Sequence, residues 1–408
     1  MPPPAVPASA RMKTVHIVDY RGAAEALSSQ DVVQALYDES ALYMQGVLLT
    51  LDGAAHAARR QIELGMLNSR QFREYERERF ITICRQQPEL RDRDPRVEVD
   101  LVDLSQRIVV RVAADLAGID ISDKVFAGVP RLIRLANTFR DEATSIHSLR
   151  DRGVLQAEAA EALQEFERLF VRPSIERRLG LLQQVSEGAM ERKALPQDVL
   201  TVLLANRESL GLEDRGLLHE MAFHMVSGLG ATLNATVNSM HRIFMWQREH
   251  AEDRRVRARE PVFLRRCIEE SLRLSPASPV AWRRVLRPLR VERAGWLEEG
   301  DYLIIDVERA NRDPVVFGPD ADSFNPDRSI AAGALAYGLS LGHGVHGCPA
   351  QDLLLADARP GASGGILPRL IGEYLLRGMT PHPEHEPRLD DQTERSFWKT
   401  YPVVLGAA

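Results

Sequence analysis

The stretch 339-LSLGHGVHGCPAQ-351 contains three glycines, two histidines and one of the chain's three cysteines. Glycines adopt the backbone conformations that a tight turn requires, and Pro349 suits the first turn of a helix. The apolar residues that follow Gln351 have helical spacing. The stretch therefore predicts a tight loop that places Cys348 just before a helix.

Four interpretations of Cys348 follow from general chemistry. A buried structural cysteine fits almost any position. A metal site of His343, His346 and Cys348 lacks the second, separated ligand pair that zinc sites usually have. A phosphate-binding loop lacks the preceding strand and the lysine of such loops. A thiolate ligand to haem iron fits both the glycine-rich turn and the following helix, whose positive end would stabilise the sulfur anion.

The composition of the chain limits its class and its partners. The 408 residues are 44% hydrophobic and 27% charged, as in globular proteins with a large core, and the net charge of -6 disfavours nucleic-acid binding. Three distant cysteines disfavour a disulfide framework and favour a reducing, cytoplasmic location. Residues 1–14 are rich in proline and alanine and predict a flexible arm, and no apolar run is long enough for a membrane span.

Helical patterns dominate the sequence. Apolar residues recur at spacings of three and four in "VDLVDLSQRIVVRVAADLAG" and over more than 35 residues in "DRGLLHEMAFHMVSGLGATLNATVNSMHRIFMWQREH". We expect the second run to be a long central helix with a local distortion near Gly228 and Gly230. Strand patterns are short and late, in "VAWRRVL", "LRVERAG", "GDYLIIDVE" and "YPVVLG". The predicted fold class is mainly α with small β-sheets.

The cysteine loop resembles the haem-binding signature of the cytochrome P450 family, F-G-x-G-x-[HR]-x-C-x-G. Four positions match this signature: Gly342, Gly344, His346 and Cys348. Leu341 stands where phenylalanine is usual, and Ala350 stands where glycine is usual. The resemblance implies that Cys348 is the axial ligand of haem b. It also implies a single catalytic domain over residues 15–408, in which the long central helix crosses the haem.

Three further motifs extend the resemblance to nearly the whole chain. Glu270 and Arg273 in "EESLRLSP" are similar to the family's E-x-x-R pair, although such a spacing alone is typical of a surface ion pair. The stretches "ANRDP" at 310–314 and "FNPDR" at 324–328 resemble the next two family motifs. The resemblance implies that Arg328 completes a structural network with Glu270 and Arg273.

The two propionates of haem need cationic partners. "DGAAHAARR" resembles the family's H-x-x-x-R motif, which places His56 and Arg60 on one helix face. Arg283 matches a third propionate contact, with its neighbour Arg284 as a rival, and His346 would be the fourth. The other cofactor-binding residues that the resemblance implies are Gly342, Leu341 and Ala350.

The central helix lacks a pair of residues that the family usually has. The usual motif A-G-x-[DE]-T-[TS] can be set against residues 227–232 or, preferably, against residues 231–236, which keeps the family distance to Glu270. In the preferred register Asn234 replaces the acid and Ala235 replaces the alcohol, and Thr236 is one position further on. Because asparagine does not titrate, we expect proton delivery by a substrate hydroxyl or by waters held at Asn234 and Thr236.

The resemblance implies a haem-thiolate monooxygenase that oxidises a small organic molecule, such as a secondary metabolite. Its electrons would come from a separate ferredoxin- or flavodoxin-type donor that binds on the cysteine side. The substrate contacts implied are Ala231, Ser278, Val280, Phe397 and Trp398. The alternatives are oxidative coupling, ring closure or peroxide-driven oxidation, a non-catalytic haem-binding sensor, and an interaction protein with a degenerate haem loop.

The helix after Cys348 meets the stretch "ARPGASGG" at 358–365. Pro360 and Gly361, followed by Gly364 and Gly365, predict a break in this helix. We expect a short helix, a loop, and a new helix over "ILPRLIGEYLL".

Overall fold

The computed structural model describes residues 12–38, 40, 42–66, 73–91, 96–121, 127–250, 260–291, 295–355 and 364–406. Helices predominate in these residues and carry four small sheets, so the predicted fold class is confirmed. No helix among the described residues is long and apolar enough to cross a membrane.

The first half of the chain contains the helices α1 (Tyr20–Ser28), α2 (Gly53–Met66), α3 (Ile81–Arg85), α4 (Pro88–Arg91), α5 (Leu101–Ala117), α6 (Gly128–Ala143), α7 (Arg152–Phe166), α8 (Arg172–Ser186) and α9 (Val199–Ala205). The second half contains α10 (Arg207–Leu210), α11 (Asp214–Glu249), α12 (Pro261–Leu274), α13 (Val307–Ala310), α14 (Pro314–Phe317), α15 (Gln351–Leu355) and α16 (Ile366–Leu376). Single π-helical turns precede α3 and α8, at Glu76–Phe80 and Glu167–Val171.

The largest sheet has the strand order β1-β7-β4-β2, from β1 (Thr14–Ile17), β7 (Tyr302–Asp306), β4 (Val280–Val285) and β2 (Val32–Gln34). β3 (Val97–Asp100), β11 (Pro402–Leu405) and β8 (Thr380–Pro381) form a second sheet. Two hairpins pair β5 (Leu289–Val291) with β6 (Gly295–Leu297) and β9 (Arg388–Leu389) with β10 (Trp398–Thr400). Each of the four predicted strand regions contains one of these strands.

The central helix α11 is 36 residues long and packs mainly against α5. It is continuous through Gly228 and Gly230, where the sequence predicted a distortion. A Cβ atom on Gly228 would lie 2.9 Å from the Cβ of Ala113 in α5, and one on Gly230 would lie 3.3 Å from the Cδ of Arg140. These glycines therefore allow close packing, and the prediction of a distortion there is wrong.

A new helix begins after the cysteine loop, as the sequence predicted. Pro360 and Gly361 lie outside the described residues, but α16 starts at Ile366, directly after Gly365, which has φ +77. The backbone N–H of Gly364 donates to both carboxylate oxygens of Glu76, at 3.0 and 2.9 Å. These bonds hold Gly364, two residues before α16, close to Glu76. The contact leaves no room for a side chain, since a Cβ on Gly364 would lie 2.7 Å from Glu76 Oε1.

A buried ion network joins α12 to the segments that follow β7. The fully buried guanidinium of Arg273 donates two hydrogen bonds of 2.7 Å to the Glu270 carboxylate. Its third nitrogen donates to the carbonyl oxygens of Asn311 and Ala321, at 2.6 and 2.7 Å. Arg328 donates to Glu270 Oε1 at 3.0 Å. The structure thus brings together the three residues predicted for a structural network.

Asn311 connects this network to the cysteine loop. Its amide nitrogen donates to the Arg273 carbonyl oxygen at 3.0 Å and to Ser340 Oγ at 2.8 Å. Its amide oxygen accepts from the backbone N–H of Leu339 at 2.7 Å. A Cβ on Gly338, which has φ +62, would lie 2.2 Å from that oxygen. The start of the loop is therefore fixed to the buried ion network.

Replacement Glu270→Gln leaves two buried guanidinium groups without their shared carboxylate. We expect the free energy of unfolding to fall by about 3–5 kcal/mol, the usual cost of removing one member of a buried ion pair. Urea unfolding measures this loss. The control is Glu158→Gln, since Glu158 pairs at 2.7 Å with Arg150 and both side chains are substantially exposed, and its loss should stay below about 1 kcal/mol. Equal losses of unfolding free energy in the two variants would contradict the role given to Glu270.

Candidate functional site

The cysteine loop is a tight turn closed by backbone hydrogen bonds. The Cys348 N–H donates to the Leu341 carbonyl oxygen at 2.7 Å, and the Gly347 N–H donates to Gly344 at 3.0 Å. Gly342 and Gly344 have φ values of +74 and +64, which residues with a Cβ rarely adopt. Only glycine fits position 344 closely, because a Cβ there would lie 2.8 Å from the Cα of Ser28 in α1.

The Cys348 and Cys84 thiols differ in the neighbouring groups that shift their pKa values. Burial raises the pKa of Cys348, while a hydrogen bond from the Ala350 N–H and the charge of Arg60 both act to lower it. Burial raises the pKa of Cys84 to about 12, and the charge of Glu373 acts in the same direction. Cys348 is thus the thiol whose surroundings include groups that stabilise an anionic sulfur.

Helix α2 brings His56 and Arg60 to the cysteine loop. Arg60 Nη2 donates to the Gly347 carbonyl oxygen at 2.6 Å. The rings of His56 and His346 are in contact, with centroids 4.3 Å apart. Because the two residues of α2 are four positions apart, they share one helix face, and this face lies against the loop.

Strand β4 brings in Arg283 and separates it from Arg284. Arg283 is buried, and its Nη1 donates to Gln34 Oε1 at 2.7 Å across the β2–β4 pairing. Arg284 has 40% of its side chain exposed and lies 3.7 Å from Asp38. Successive strand residues point to opposite faces, so only Arg283 points to the interior.

The cations at the loop make it suited to an anionic group. Burial, followed by the charges of His56, Arg283 and Arg60, lowers the pKa of His346 to about 4. In the described part of the chain, no carboxylate forms an ion pair with Arg60 or Arg283. Burial lowers the pKa of Arg283 to about 10, a sign that its charge is poorly compensated. The two propionates of a haem would supply the missing negative charge.

The middle of the central helix is mostly buried, but one of its faces is exposed. Ser227 and Ala231 are exposed, whereas Asn234, Ala235 and Thr236 are buried. At about 100° per residue, the exposed pair shares its face with His224, whose side chain meets α2. The exposed face of α11 is therefore directed toward α2, the helix that also carries His56 and Arg60.

Thr236 is fully buried, and its hydroxyl donates to the Thr232 carbonyl oxygen at 2.8 Å. It lies about 140° around the helix from Ala231, away from the exposed face. For Thr236 to help in proton transfer, its hydroxyl must leave this carbonyl.

A cavity of about 180 Å³ lies between α5, α6, α11 and the β9–β10 hairpin. Its lining includes Arg140, Gly230, Asn234, Phe397 and Trp398. Two of the five predicted substrate contacts, Phe397 and Trp398, thus share a cavity with Asn234. The other three (Ala231, Ser278 and Val280) do not line it, and the Ser278 hydroxyl donates to the Val280 carbonyl oxygen at 3.0 Å.

A buried acidic cluster was not expected from the sequence. Ligand atoms of Glu63, Glu220 and His224 lie within 4.8 Å of one another, and Arg59 donates to Glu220 at 2.5 Å. Burial and the charge of Glu63 raise the pKa of Glu220 to about 7. Burial lowers the pKa of His224, but the two carboxylates raise it by more. The spacing of four between Glu220 and His224 was visible in the sequence, but their approach to α2 was not.

The sequence model described as Cytochrome P450 matches residues 259–345. "Probable cytochrome P450 313a1" of Drosophila melanogaster is 41% identical over 69 residues, which are 17% of this chain and 14% of that protein. The chain spans between 14% and 33% of the length of such curated relatives.

Solved P450 structures match almost the whole chain. A mutant of P450 EryK in complex with erythromycin B has a TM-score of 0.70 and 20% identity, over 96% of this chain and 91% of that chain. The P450 enzyme CxnD, for C–S bond formation in chuangxinmycin biosynthesis, also has a TM-score of 0.70, with 19% identity over 96% and 88% of the two chains.

Residues 259–345 thus match the cytochrome P450 family model, and the chain has the P450 fold over 96% of its length. The matched segment 259–345 contains the Glu270 network and the first part of the cysteine loop, and it ends three residues before Cys348. The fold likeness covers the remaining helices and sheets, and at this identity it establishes the fold alone. In the P450 fold seen here, Arg60 and His56 of α2 and Arg283 of β4 lie around the loop that carries Cys348.

Replacement Gly344→Ala should destabilise the cysteine loop through both conformation and contact. The left-handed backbone costs about 1–2 kcal/mol with a Cβ, and the clash with α1 should add about 1–3 kcal/mol. The control Gly333→Ala has φ +86 but open space around the added Cβ, so it should show the first cost only. Urea unfolding of both variants measures the difference, and equal losses would show that the contact with Ser28 is unimportant.

Proposed function

We propose that this P450 is a haem-thiolate monooxygenase that oxidises a small organic molecule, with Cys348 as the axial ligand of haem b. The observation that carries the proposal is the position of Cys348 in a glycine turn, where the Ala350 N–H donates to its sulfur and Arg60 is bonded to the adjacent Gly347 carbonyl oxygen. When bound, the haem supplies the oxygen-activating chemistry, and the thiolate favours cleavage of the O–O bond.

The proposed haem seat uses the cations around the loop. His56, Arg60, Arg283 and His346 would bind the two propionates, since two buried carboxylates would balance the charges of Arg60 and Arg283, which have no carboxylate ion pair in the described residues. His346 Nε2 lies 3.4 Å from Asp52 Oδ1, a contact that a propionate would replace. Three residues of the loop would contact the haem itself: Gly342, Leu341 and Ala350. The Glu270 network would hold this loop in position through Asn311.

Proton delivery in the proposed reaction relies on the substrate or on water. Asn234 can orient a water but does not titrate, Ala235 has no polar atom, and the Thr236 hydroxyl is bonded to a carbonyl. A substrate hydroxyl, or waters near Asn234, would therefore supply the proton. Because the central helix lacks the usual acid–alcohol pair, oxidative coupling, ring closure or peroxide-driven oxidation is the second candidate function.

The proposed substrate is a secondary metabolite or its precursor. Two structural neighbours are described with erythromycin B and with chuangxinmycin biosynthesis, which supports this class. Phe397 and Trp398 would contact the substrate beside Asn234, and Ala231, Ser278 and Val280 would contact it from the central helix and β4.

The proposed electron source is a separate ferredoxin- or flavodoxin-type protein that binds on the cysteine side. A thiolate near this surface would give a short path for electrons to the haem. We further propose a cytoplasmic location, which agrees with three free cysteines.

Replacement Cys348→Ser tests the iron ligand. The reduced wild-type protein with carbon monoxide should show the red-shifted Soret band of thiolate ligation, and the variant should lose it because serine does not supply a thiolate. Absorption spectroscopy at equal haem loading measures this. The control Cys84→Ala removes a buried thiol with a pKa of about 12 and should keep the band. A wild-type protein without the band would refute the haem-thiolate assignment.

The double replacement Asn234→Asp with Ala235→Thr restores the usual acid and alcohol in the preferred register. If proton delivery is limiting, the fraction of electron pairs released as hydrogen peroxide should fall roughly tenfold. Reductant consumption and peroxide release, measured with a surrogate ferredoxin system, give this ratio. The control Ser239→Ala changes a buried hydroxyl on the same helix. If the double variant releases as much peroxide as wild type, the register or its importance is wrong.

A further inference from the structure

Trp398 begins a hydrogen-bond chain behind the cavity. Its ring packs edge-on against Tyr401, with centroids 5.0 Å apart, and lies 4.9 Å from the ring of His241. Its indole N–H donates to Asn238 Oδ1 at 3.0 Å. Asn238 Nδ2 in turn donates to Asn234 Oδ1 at 2.8 Å. Both asparagines are more than nine-tenths buried, so the chain is shielded from bulk water.

The indole determines the orientation of both amides. An indole N–H is only a donor, so the atom of Asn238 that faces Trp398 must be its carbonyl oxygen. The amide nitrogen of Asn238 then faces Asn234 and requires that residue's carbonyl oxygen. Exchange of oxygen and nitrogen in either amide would bring two donors or two acceptors face to face. The amide nitrogen of Asn234, which has no partner among the described residues, remains for the cavity.

The rest of the cavity favours an uncharged, largely apolar ligand. Leu233, Val237 and Phe397 supply apolar surface beside Asn234. The guanidinium of Arg140 reaches the cavity already bonded to Asp141, at 3.0 and 2.8 Å. The two remaining charged side chains of the lining, Lys399 and Asp390, have opposite signs.

We propose that the Asn234 amide binds the carbonyl oxygen of a neutral, largely apolar molecule, and that Asn238 and Trp398 are positioning residues for this contact. The proposal rests on the proposed function, because it treats the cavity as part of the substrate pocket, and it narrows the substrate to a carbonyl-bearing compound. The Asn234 amide nitrogen offers N–H donors to the cavity, so a carbonyl oxygen pairs with it directly, whereas the hydrogen of a hydroxyl group would need an acceptor elsewhere in the lining, on Gln106 or Asp390.

Calorimetric titration of the haem-loaded, full-length protein tests this with three probes of one ring system: 1-indanone, 1-indanol and indane. Wild type should bind 1-indanone about five- to tenfold more tightly than indane, the effect of one neutral hydrogen bond. Asn234→Leu should reduce this ratio to about one. Asn238→Leu leaves the Asn234 amide free to turn, so the preference for 1-indanone over 1-indanol should fall although no atom of the lining has changed.

Two further variants control for general damage. Ser239→Ala removes a buried hydroxyl that has no hydrogen-bond partner among the described residues, next to Asn238, and should keep the wild-type ratio. Trp398→Phe removes the indole N–H while it keeps an aromatic ring, and it replaces Asn238→Leu if that variant does not fold. Because each ratio compares two probes that share one ring system, changes in apolar packing cancel.

Three outcomes would overturn the proposal. They are a wild-type ratio near one, an unchanged ratio in Asn234→Leu, and tighter binding of indane-1-carboxylate than of 1-indanone, which would indicate recognition by Arg140 or Lys399. The carbon monoxide spectrum of the same samples is an independent readout. If the red-shifted Soret band is absent but 1-indanone still binds more tightly than indane, only the haem-thiolate function is rejected. If the band is present but the two probes bind equally, only the carbonyl contact is rejected.

Discussion

The fully buried guanidinium of Arg273 is the constraint on which the cysteine loop depends. A charge without solvent must be paired and hydrogen-bonded, and Glu270 together with two backbone carbonyl oxygens meets this need. These carbonyls belong to the segment that contains Asn311, whose side chain then binds Leu339 and Ser340. The position of Cys348 is therefore set from the core outward, and the loop keeps its shape through contacts that do not involve the sulfur.

The second determinant of the site is a concentration of positive charge beside that loop. Arg60 and Arg283 come from a helix and a strand far apart in sequence, and each is held by a neutral partner, Gly347 or Gln34. Neutral partners fix the direction of a guanidinium without cancelling its charge. A dianionic cofactor bound there would gain from both charges.

Contacts between residues close in sequence could be predicted from their spacing, whereas contacts between residues far apart in sequence could not. Glu270 and Arg273 lie three apart on one helix, so their pairing could be read directly. Arg283 and Arg284 could not be separated until the register of β4 showed which one points inward. Gly228 suggested a distortion because glycine weakens helices, but its partner Ala113 is distant in sequence. The approach of Glu63 to Glu220 and His224 was hidden for the same reason.

The orientation of Asn234 also bears on proton delivery. Because its carbonyl oxygen accepts from Asn238, any water held at Asn234 is held by donation from the amide. Such a water keeps both of its own hydrogens and can pass one onward, whereas the amide itself does not titrate. An amide nitrogen carries two N–H groups, so one can bind a substrate carbonyl while the other holds a water. The water-assisted route and the carbonyl contact are therefore compatible at one residue, and both depend on the indole of Trp398.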